Sequence, residues 1–180
     1  MDFKLNEEQA EIKRAVREFA EKEFTPELAL EFDQKEDFPM SLYKKAAQLG
    51  ITSMRIPQEY GGQGYGVLED CLAVEEMCRV DPGIGVAISL RSLMIPDLLL
   101  KHGTEEQKSR YIPPLAKGEK IAAAAFTEPE HGSDITRMNT TATKTGSEWT
   151  INGAKEFITN ATTADFLVAL VQTDTKIRPT

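Results

Sequence analysis

Two short stretches carry the side chains best suited to chemistry. The first, Ala124-Ala-Phe-Thr-Glu-Pro-Glu-His-Gly-Ser-Asp134, leaves an apolar run of small residues and turns abruptly polar. The second, Phe157-Ile-Thr-Asn160, sets an aromatic ring two residues before a hydroxyl. Small side chains from Ala122 to Phe126 let backbone amides approach a flat ligand closely. Thr127 adds a hydroxyl at the expected strand end. Gly132 takes the side chain out of a turn whose N–H groups can then face phosphate oxygens, and Ser133 adds a hydroxyl there. Phe157 offers a ring face, and Thr159 a second hydroxyl at the end of a neighbouring strand.

An aromatic face, two hydroxyls and a phosphate-sized turn are what a flavin nucleotide requires. The same residue types also suit an ordinary β domain, with the threonines as strand residues, Phe157 in the core and Gly132-Ser133 in a loop. Glu128 and Glu130 read as turn or surface carboxylates, and His131 as a solvated loop residue. His102 reads as a helix-end residue favoured by the helix dipole. A second glycine-rich stretch, Glu59-Tyr-Gly-Gly-Gln-Gly-Tyr-Gly66, lacks the Gly-Lys-Ser/Thr ending of a phosphate loop and follows no clear strand. It is expected to be a flexible surface connection.

The elements upstream are helical by pattern. Asn6 with Gln9 forms a capping box ahead of an apolar stripe of Ile12, Ala15, Val16, Phe19 and Ala20. Pro26 opens a shorter helix. Pro39 to Leu49 is predicted helical with Leu42, Ala46 and Leu49 inward, and Gly50 suits the left-handed position past its end. Val67 to Arg79 is amphipathic through Leu68, Cys71, Leu72 and Met77, with Glu75 interrupting the stripe. Asp81-Pro82-Gly83 breaks the helix. Ile84 to Leu100, apolar nearly all round, is placed at the centre of a bundle. Thr104 with Gln107 caps another helix, which Tyr111-Ile-Pro-Pro114 is expected to end.

After Lys120 the pattern changes to strands. Thr140 to Thr145 alternates, Gly146-Ser147 turns, and Trp149 to Ile151 is strand-like. Asn152-Gly153 is a strong hairpin signal, with strands expected over Ala154 to Thr159 and Asp165 to Gln172. The fold class is therefore α+β, with a helical bundle over residues 1–119 and the start of a β domain over 120–180. So few strands leave a sheet edge and an apolar face uncovered.

The 180 residues hold 29 acidic and 21 basic side chains, a net charge of −8, which argues against a nucleic-acid surface. Cys71 and Cys78 are expected to be buried, reduced thiols. The amino terminus shows no apolar signal core and no Arg-rich presequence. Arg91, Pro96 and Asp97 interrupt the longest apolar run, so no membrane span is expected. The composition fits a cytoplasmic protein or a mature organellar form.

The spacing of T-E-P-x-x-G-S-D at Thr127–Asp134 and I-N-G-x-K-x-F-I-T-N at Ile151–Asn160 resembles the flavin-binding segments of the acyl-CoA dehydrogenase family. Pro57-Gln-Glu-Tyr-Gly-Gly62, Gly103-Thr-Glu-Glu-Gln107 and Tyr111-Ile-Pro-Pro-Leu-Ala-Lys-Gly118 match it too, so the likeness covers essentially the whole chain. It implies FAD bound by Ala124, Ala125, Phe126, Thr127, Gly132, Ser133, Phe157, Ile158 and Thr159. In this likeness Thr127 bonds the pyrimidine end of the ring, Ser133 holds the pyrophosphate region and touches the acyl-CoA, Phe157 packs on the ring and Thr159 reaches its N5 edge.

The resemblance further implies a middle domain built as an antiparallel β-barrel, completed by a C-terminal helical domain this chain does not contain. The catalytic base then lies beyond Thr180, and no residue here is assigned as catalytic. It also implies an acyl-CoA substrate, a role in fatty acid metabolism, an electron-transfer flavoprotein as acceptor, and a homo-oligomer, dimer or tetramer. A cytoplasmic or mitochondrial-matrix location follows. Val80-Asp-Pro-Gly-Ile-Gly85 has Gly85 where members acting on dicarboxylic thioesters carry an arginine; Arg91 comes six residues later, so such a substrate is not supported. A non-catalytic assembly module with the family's outline is the alternative function.

Overall fold

The structure is a computed structural model that describes residues 4–174, with the side chains of residues 90–93 outside the description. The chain divides into two compact units, residues 1–121 and 122–180. The first holds helices α1 (Glu7–Glu23), α2 (Pro26–Lys35), α3 (Met40–Gln48), α4 (Val67–Val80), α5 (Pro82–Leu93), α6 (Ile95–His102) and α7 (Glu105–Ala116).

Helix starts follow their caps. Gln9 N donates to Asn6 Oδ1 at 2.8 Å while Asn6 N donates to Gln9 Oε1 at 3.1 Å. Thr104 and Gln107 repeat the exchange at the head of α7. Thr25 and Asp81 cap α2 and α5, each followed by a proline whose missing N–H would have had no helical partner. Asp81 therefore does more than break a helix, since its Oδ1 accepts from Ile84 N at 2.7 Å.

The packing departs from the predicted stripes at several points. Ala15 and Leu49 are exposed. In α4 the buried residues are Asp70, Leu72, Ala73, Glu76 and Met77, whereas Leu68 and Cys71 face solvent. The reason is electrostatic. Counting every charged residue as outward rotates the stripe, but Glu76 points inward toward α1, which packs on α4. There Arg17 donates to Glu76 through Nε at 2.7 Å and Nη2 at 2.8 Å, and Arg79 Nε adds a bond at 3.1 Å. Cys71 is thus an exposed thiol and Cys78 a half-buried one, both free.

The glycine-rich stretch is no loose connection. Gln63, Gly64 and Tyr65 donate backbone bonds of 2.7–3.0 Å to the carbonyls of Ser53, Ile56 and Met54. A Cβ on Gly62 would lie 2.0 Å from the Ile56 carbonyl oxygen, so glycine is required there. The apolar run from Ile84 divides at Met94 into α5 and α6, with Ile84, Ile88 and Ile95 buried. Pro113 and Pro114 do not end α7, which continues to Ala116 although these prolines donate no helical N–H bonds and crowd the carbonyls of the preceding turn. Ile112 and Ala116 cluster with Ile56. Among the described residues no helix is long and apolar enough to cross a membrane.

The second unit holds β1 (Ala122–Ala125), β2 (Thr141–Thr145), β3 (Glu148–Asn152) and β4 (Phe166–Ala169). β2 and β3 form the antiparallel hairpin, closed at Gly146-Ser147 with Gly146 at φ 62°. β1 pairs with β4 in parallel, Ala122 opposite Phe166 through Ala125 opposite Ala169. Their long connection lets the chain cross over, so this pair departs from the antiparallel expectation. Beyond β4, Gln172 bridges to the start of β2, with Ala142 N donating to Gln172 O and Gln172 N to Thr140 O, both at 2.9 Å. Trp149 and Ile151, two apart on one face of β3, remain exposed, as does Leu167.

Asn152-Gly153 is not a hairpin turn. It ends β3, and Gly153 adopts φ 153° against β2, where a Cβ would meet Thr140 Oγ1 at 2.4 Å. The segment from Ala154 to Thr159 is a loop, since Phe157 at φ 55° and Asn160 at φ 66° cannot continue a strand.

Candidate functional site

The end of β1 is fixed by an immediate reversal. Glu128 N donates to His131 O at 2.9 Å and His131 N to Glu128 O at 3.1 Å, which closes Pro129-Glu130 into a tight turn. The chain returns beside itself, and a Cβ on Gly132 would sit 3.7 Å from Thr127 Cγ2. Thr127 and Gly132 are therefore neighbours, with Gly132 and Ser133 exposed.

Glu128 is no surface carboxylate. It is 4% exposed. Its carboxylate accepts from Lys155 Nζ at 2.8 Å, from Thr140 N at 2.9 Å and from Asn139 N at 2.5 Å. Burial pushes this carboxyl up, but Lys155, Thr140 and the Asn139 amide outweigh that and hold it at about 2. Glu130 is exposed and accepts from Asn139 Nδ2 at 2.9 Å. His131 is half-buried rather than fully solvated.

Lys155 also donates to the Phe126 carbonyl at 2.9 Å, and Glu156 N donates to Thr127 O at 3.0 Å. The residues just before Phe157 are thus docked on the end of β1. Phe157 itself is 84% exposed and held in the left-handed region. Ile158 is half-buried, and its carbonyl accepts from Ala161 N at 3.0 Å. Thr159 is exposed on this loop and not at a strand end, because the strand beside β1 is β4.

Phe126, Thr127 and Gly132 are therefore brought together, with Phe157 next to a residue bonded to Thr127. Thr159 shares the loop with Phe157, and no bond ties it to Thr127. Ala124 and Ala125 lie within β1, where Ala125 O accepts from Leu170 N at 3.1 Å. Arg91 belongs to the side chains outside the description.

These surroundings suit a flavin. The Phe157 ring is open, and the hydroxyls of Thr127, Ser133 and Thr159 have no protein hydrogen-bond partner among the described residues. Among the described residues β1 has a strand neighbour on one side alone, which leaves its other edge with free backbone donors and acceptors. Among the described residues no group of three or more His, Cys, Asp or Glu is placed to hold a metal. Sequence reading missed Lys155, Asn139 and Thr140. A lysine within an otherwise apolar and turn-rich stretch was the available signal, but nothing in residue spacing pairs it with Glu128.

An open ring, exposed hydroxyls and a glycine-serine turn in the second unit suit a flavin nucleotide. Residues 6–119 match the acyl-CoA dehydrogenase N-terminal domain and residues 123–179 the acyl-CoA dehydrogenase middle domain. The short-chain specific acyl-CoA dehydrogenase of Clostridium acetobutylicum is 45% identical over 174 residues, which are 97% of this chain and 46% of that protein.

Among solved structures, a chain from the study of the electron transferring flavoprotein of Acidaminococcus fermentans and flavin-based electron bifurcation superposes with a TM-score of 0.89 at 39% identity. It covers 98% of this chain and 46% of its own length. The glutaryl-CoA dehydrogenase of Mycobacterium smegmatis in complex with FADH2 gives 0.85 at 31% identity, over 94% of this chain and 44% of that one. The chain belongs to the acyl-CoA dehydrogenase family, whose cofactor is FAD. It spans less than half the length of these relatives.

Proposed function

We propose that this chain is the amino-terminal part, residues 1–119 helical and 120–180 β, of a flavin-dependent dehydrogenase that introduces an α,β double bond into an acyl-CoA thioester. Bound FAD supplies the acceptor for the β-hydrogen, as hydride, while a base removes the α-proton. The residues holding it are Ala124, Ala125, Phe126, Thr127, Gly132, Ser133, Phe157, Ile158 and Thr159. Thr127 donates to the pyrimidine end and favours the negative charge of reduction. The Gly132-Ser133 turn takes the pyrophosphate, Ser133 touches the acyl-CoA, Phe157 covers the ring and Thr159 reaches its N5 edge.

The carrying observation is the open Phe157 ring on a loop that Glu156 ties to Thr127, with the hydroxyls of Thr127, Ser133 and Thr159 lacking protein partners among the described residues. The base lies beyond Thr180, as the family resemblance implies; Glu128, locked in an ion pair and held at about 2, is not assigned that role. The full-length protein acts as a homo-oligomer, dimer or tetramer, in fatty acid metabolism, in the cytoplasm or mitochondrial matrix. An electron-transfer flavoprotein takes its electrons, a reading supported by the likeness to the Acidaminococcus chain.

The test is colour. Purified full-length protein is expected to be yellow and to bleach with acyl-CoA in the absence of oxygen. A colourless, folded protein would overturn this reading and favour a non-catalytic assembly module. The 180-residue chain alone is expected to retain FAD weakly and to dehydrogenate nothing, which equilibrium dialysis and an acyl-CoA assay would check.

A further inference from the structure

Glu128 and Lys155 take no part in the chemistry proposed above, yet their side chains are only 3% and 11% exposed. Such a buried pair is costly to desolvate and is weak evidence of stabilisation in its own right. Its geometry does something else. The carboxylate gathers donors from two places in the chain, Lys155 and the Asn139-Thr140 amides that lead into β2. The ammonium reaches back to the Phe126 carbonyl. Three segments thus meet at one carboxylate: the end of β1 bearing Thr127, the entry to β2, and the loop presenting Phe157.

That loop needs holding. A bulky aromatic residue at φ 55° occupies a conformation that an unconstrained loop leaves. The residue before it, Glu156, bonds to Thr127 O, and the residue before that is Lys155. The pair therefore sets where the Phe157 ring stands relative to the Thr127 hydroxyl and the Gly132 turn.

We propose that the Glu128–Lys155 ion pair is the positioning device of the cofactor site, holding the Thr127–Ser133 turn and the Phe157–Thr159 loop in one register before flavin binds. This rests on the cofactor reading above and extends it to residues that never touch the flavin. Ordering these loops in advance removes that cost from binding, so the pair acts on affinity.

Two variants of the full-length protein, stripped of flavin, test it by fluorescence titration with FAD. Lys155→Met is expected to weaken FAD binding by about tenfold or more. It also leaves a buried carboxylate unpaired and is at risk of misfolding. Glu128→Leu combined with Lys155→Met replaces both charges with apolar groups of similar size, which leaves no buried charge unpaired while releasing the Asn139 and Thr140 amides. This double variant is expected to fold and still to bind FAD about tenfold or more weakly.

Hydrogen exchange on the flavin-free 180-residue chain supplies the second readout. The Glu156 and Asn139 amides should exchange faster in the double variant, while the paired amides of the β2–β3 hairpin keep their wild-type rates. A folded double variant binding FAD within about twofold of wild type would overturn the proposal. So would exchange rates at Glu156 and Asn139 that do not change. A wild-type protein that takes up no FAD would sink the cofactor reading itself and this inference with it, a failure distinguishable because it appears before any substitution is made.

Discussion

Replacing Glu76 by glutamine removes the charge around which α1 and α4 are joined. The carboxylate is buried and receives two bonds from Arg17 and one from Arg79, with Lys13 Nζ at 3.4 Å. Breaking a buried ion pair from one side costs about 3–5 kcal/mol. Here the cations are the exposed partners, Arg17 at 45% and Arg79 at 47%, so both can turn to water once released. That places the cost at or below the lower end, about 2–3 kcal/mol. For a helical unit of residues 1–121 this corresponds to roughly 10 °C in melting temperature, at about 4 °C per kcal/mol.

The pH dependence separates charge from packing. The Arg17 guanidinium holds the Glu76 carboxyl at about 2 against the opposing effect of burial, with Arg79 and Lys13 helping. Its folded value lies below the unfolded one. The contribution is therefore complete above about pH 4.3 and lost as pH falls through the folded value. Urea unfolding followed by far-UV circular dichroism should show the full gap between Glu76→Gln and wild type at pH 7, shrinking as pH falls from about 4 towards 2. Equal midpoints at pH 7, or a gap that ignores pH, would refute the electrostatic account of the α1–α4 junction.

Three further outcomes are expected. Asp70 behaves in the opposite sense, because burial raises its carboxyl to about 6 despite Arg55 nearby, with Asp97 adding to the rise. Its folded value lies above the unfolded one, so the folded state binds the extra proton and the helical unit loses stability as pH rises from about 4 to about 6, and Asp70→Asn should flatten that slope in urea titrations. Gly153→Ala puts a methyl 2.4 Å from Thr140 Oγ1 and should destabilise the second unit by about 2 kcal/mol or more, with faster amide exchange along β2 as the measure. Phe157→Ala removes a ring that is 84% exposed, so unfolding should move by less than about 0.5 kcal/mol while FAD affinity of the full-length protein falls. A loss of stability matching the loss of affinity would show that ring to be core instead.

Much of the helical unit is local grammar, and the sequence by itself determined it. Asn6 with Gln9 and Thr104 with Gln107 are three residues apart and bond within one turn, so no distant residue can alter them. Gly50 takes its left-handed φ of 77° for the same local reason, and the Gly146-Ser147 turn needs only its own glycine. The Thr127–Asp134 and Ile151–Asn160 segments were legible likewise through their resemblance to one family, which residue types alone did not supply.

What tertiary structure decided is every feature that depends on a partner far along the chain. Glu76 turns inward because Arg17, 59 residues away, meets it, and that rotates the buried face of α4 away from Leu68 and Cys71. Glu128 becomes a buried anchor because Lys155 and two amides reach it, while Asn152-Gly153 ends a strand because Thr140 lies against it. Burying a charge is unfavourable unless its partners are already in place. Periodicity sees one residue and its near neighbours, and so assigns such charges to solvent; only the fold, which supplies the partners, reverses the sign.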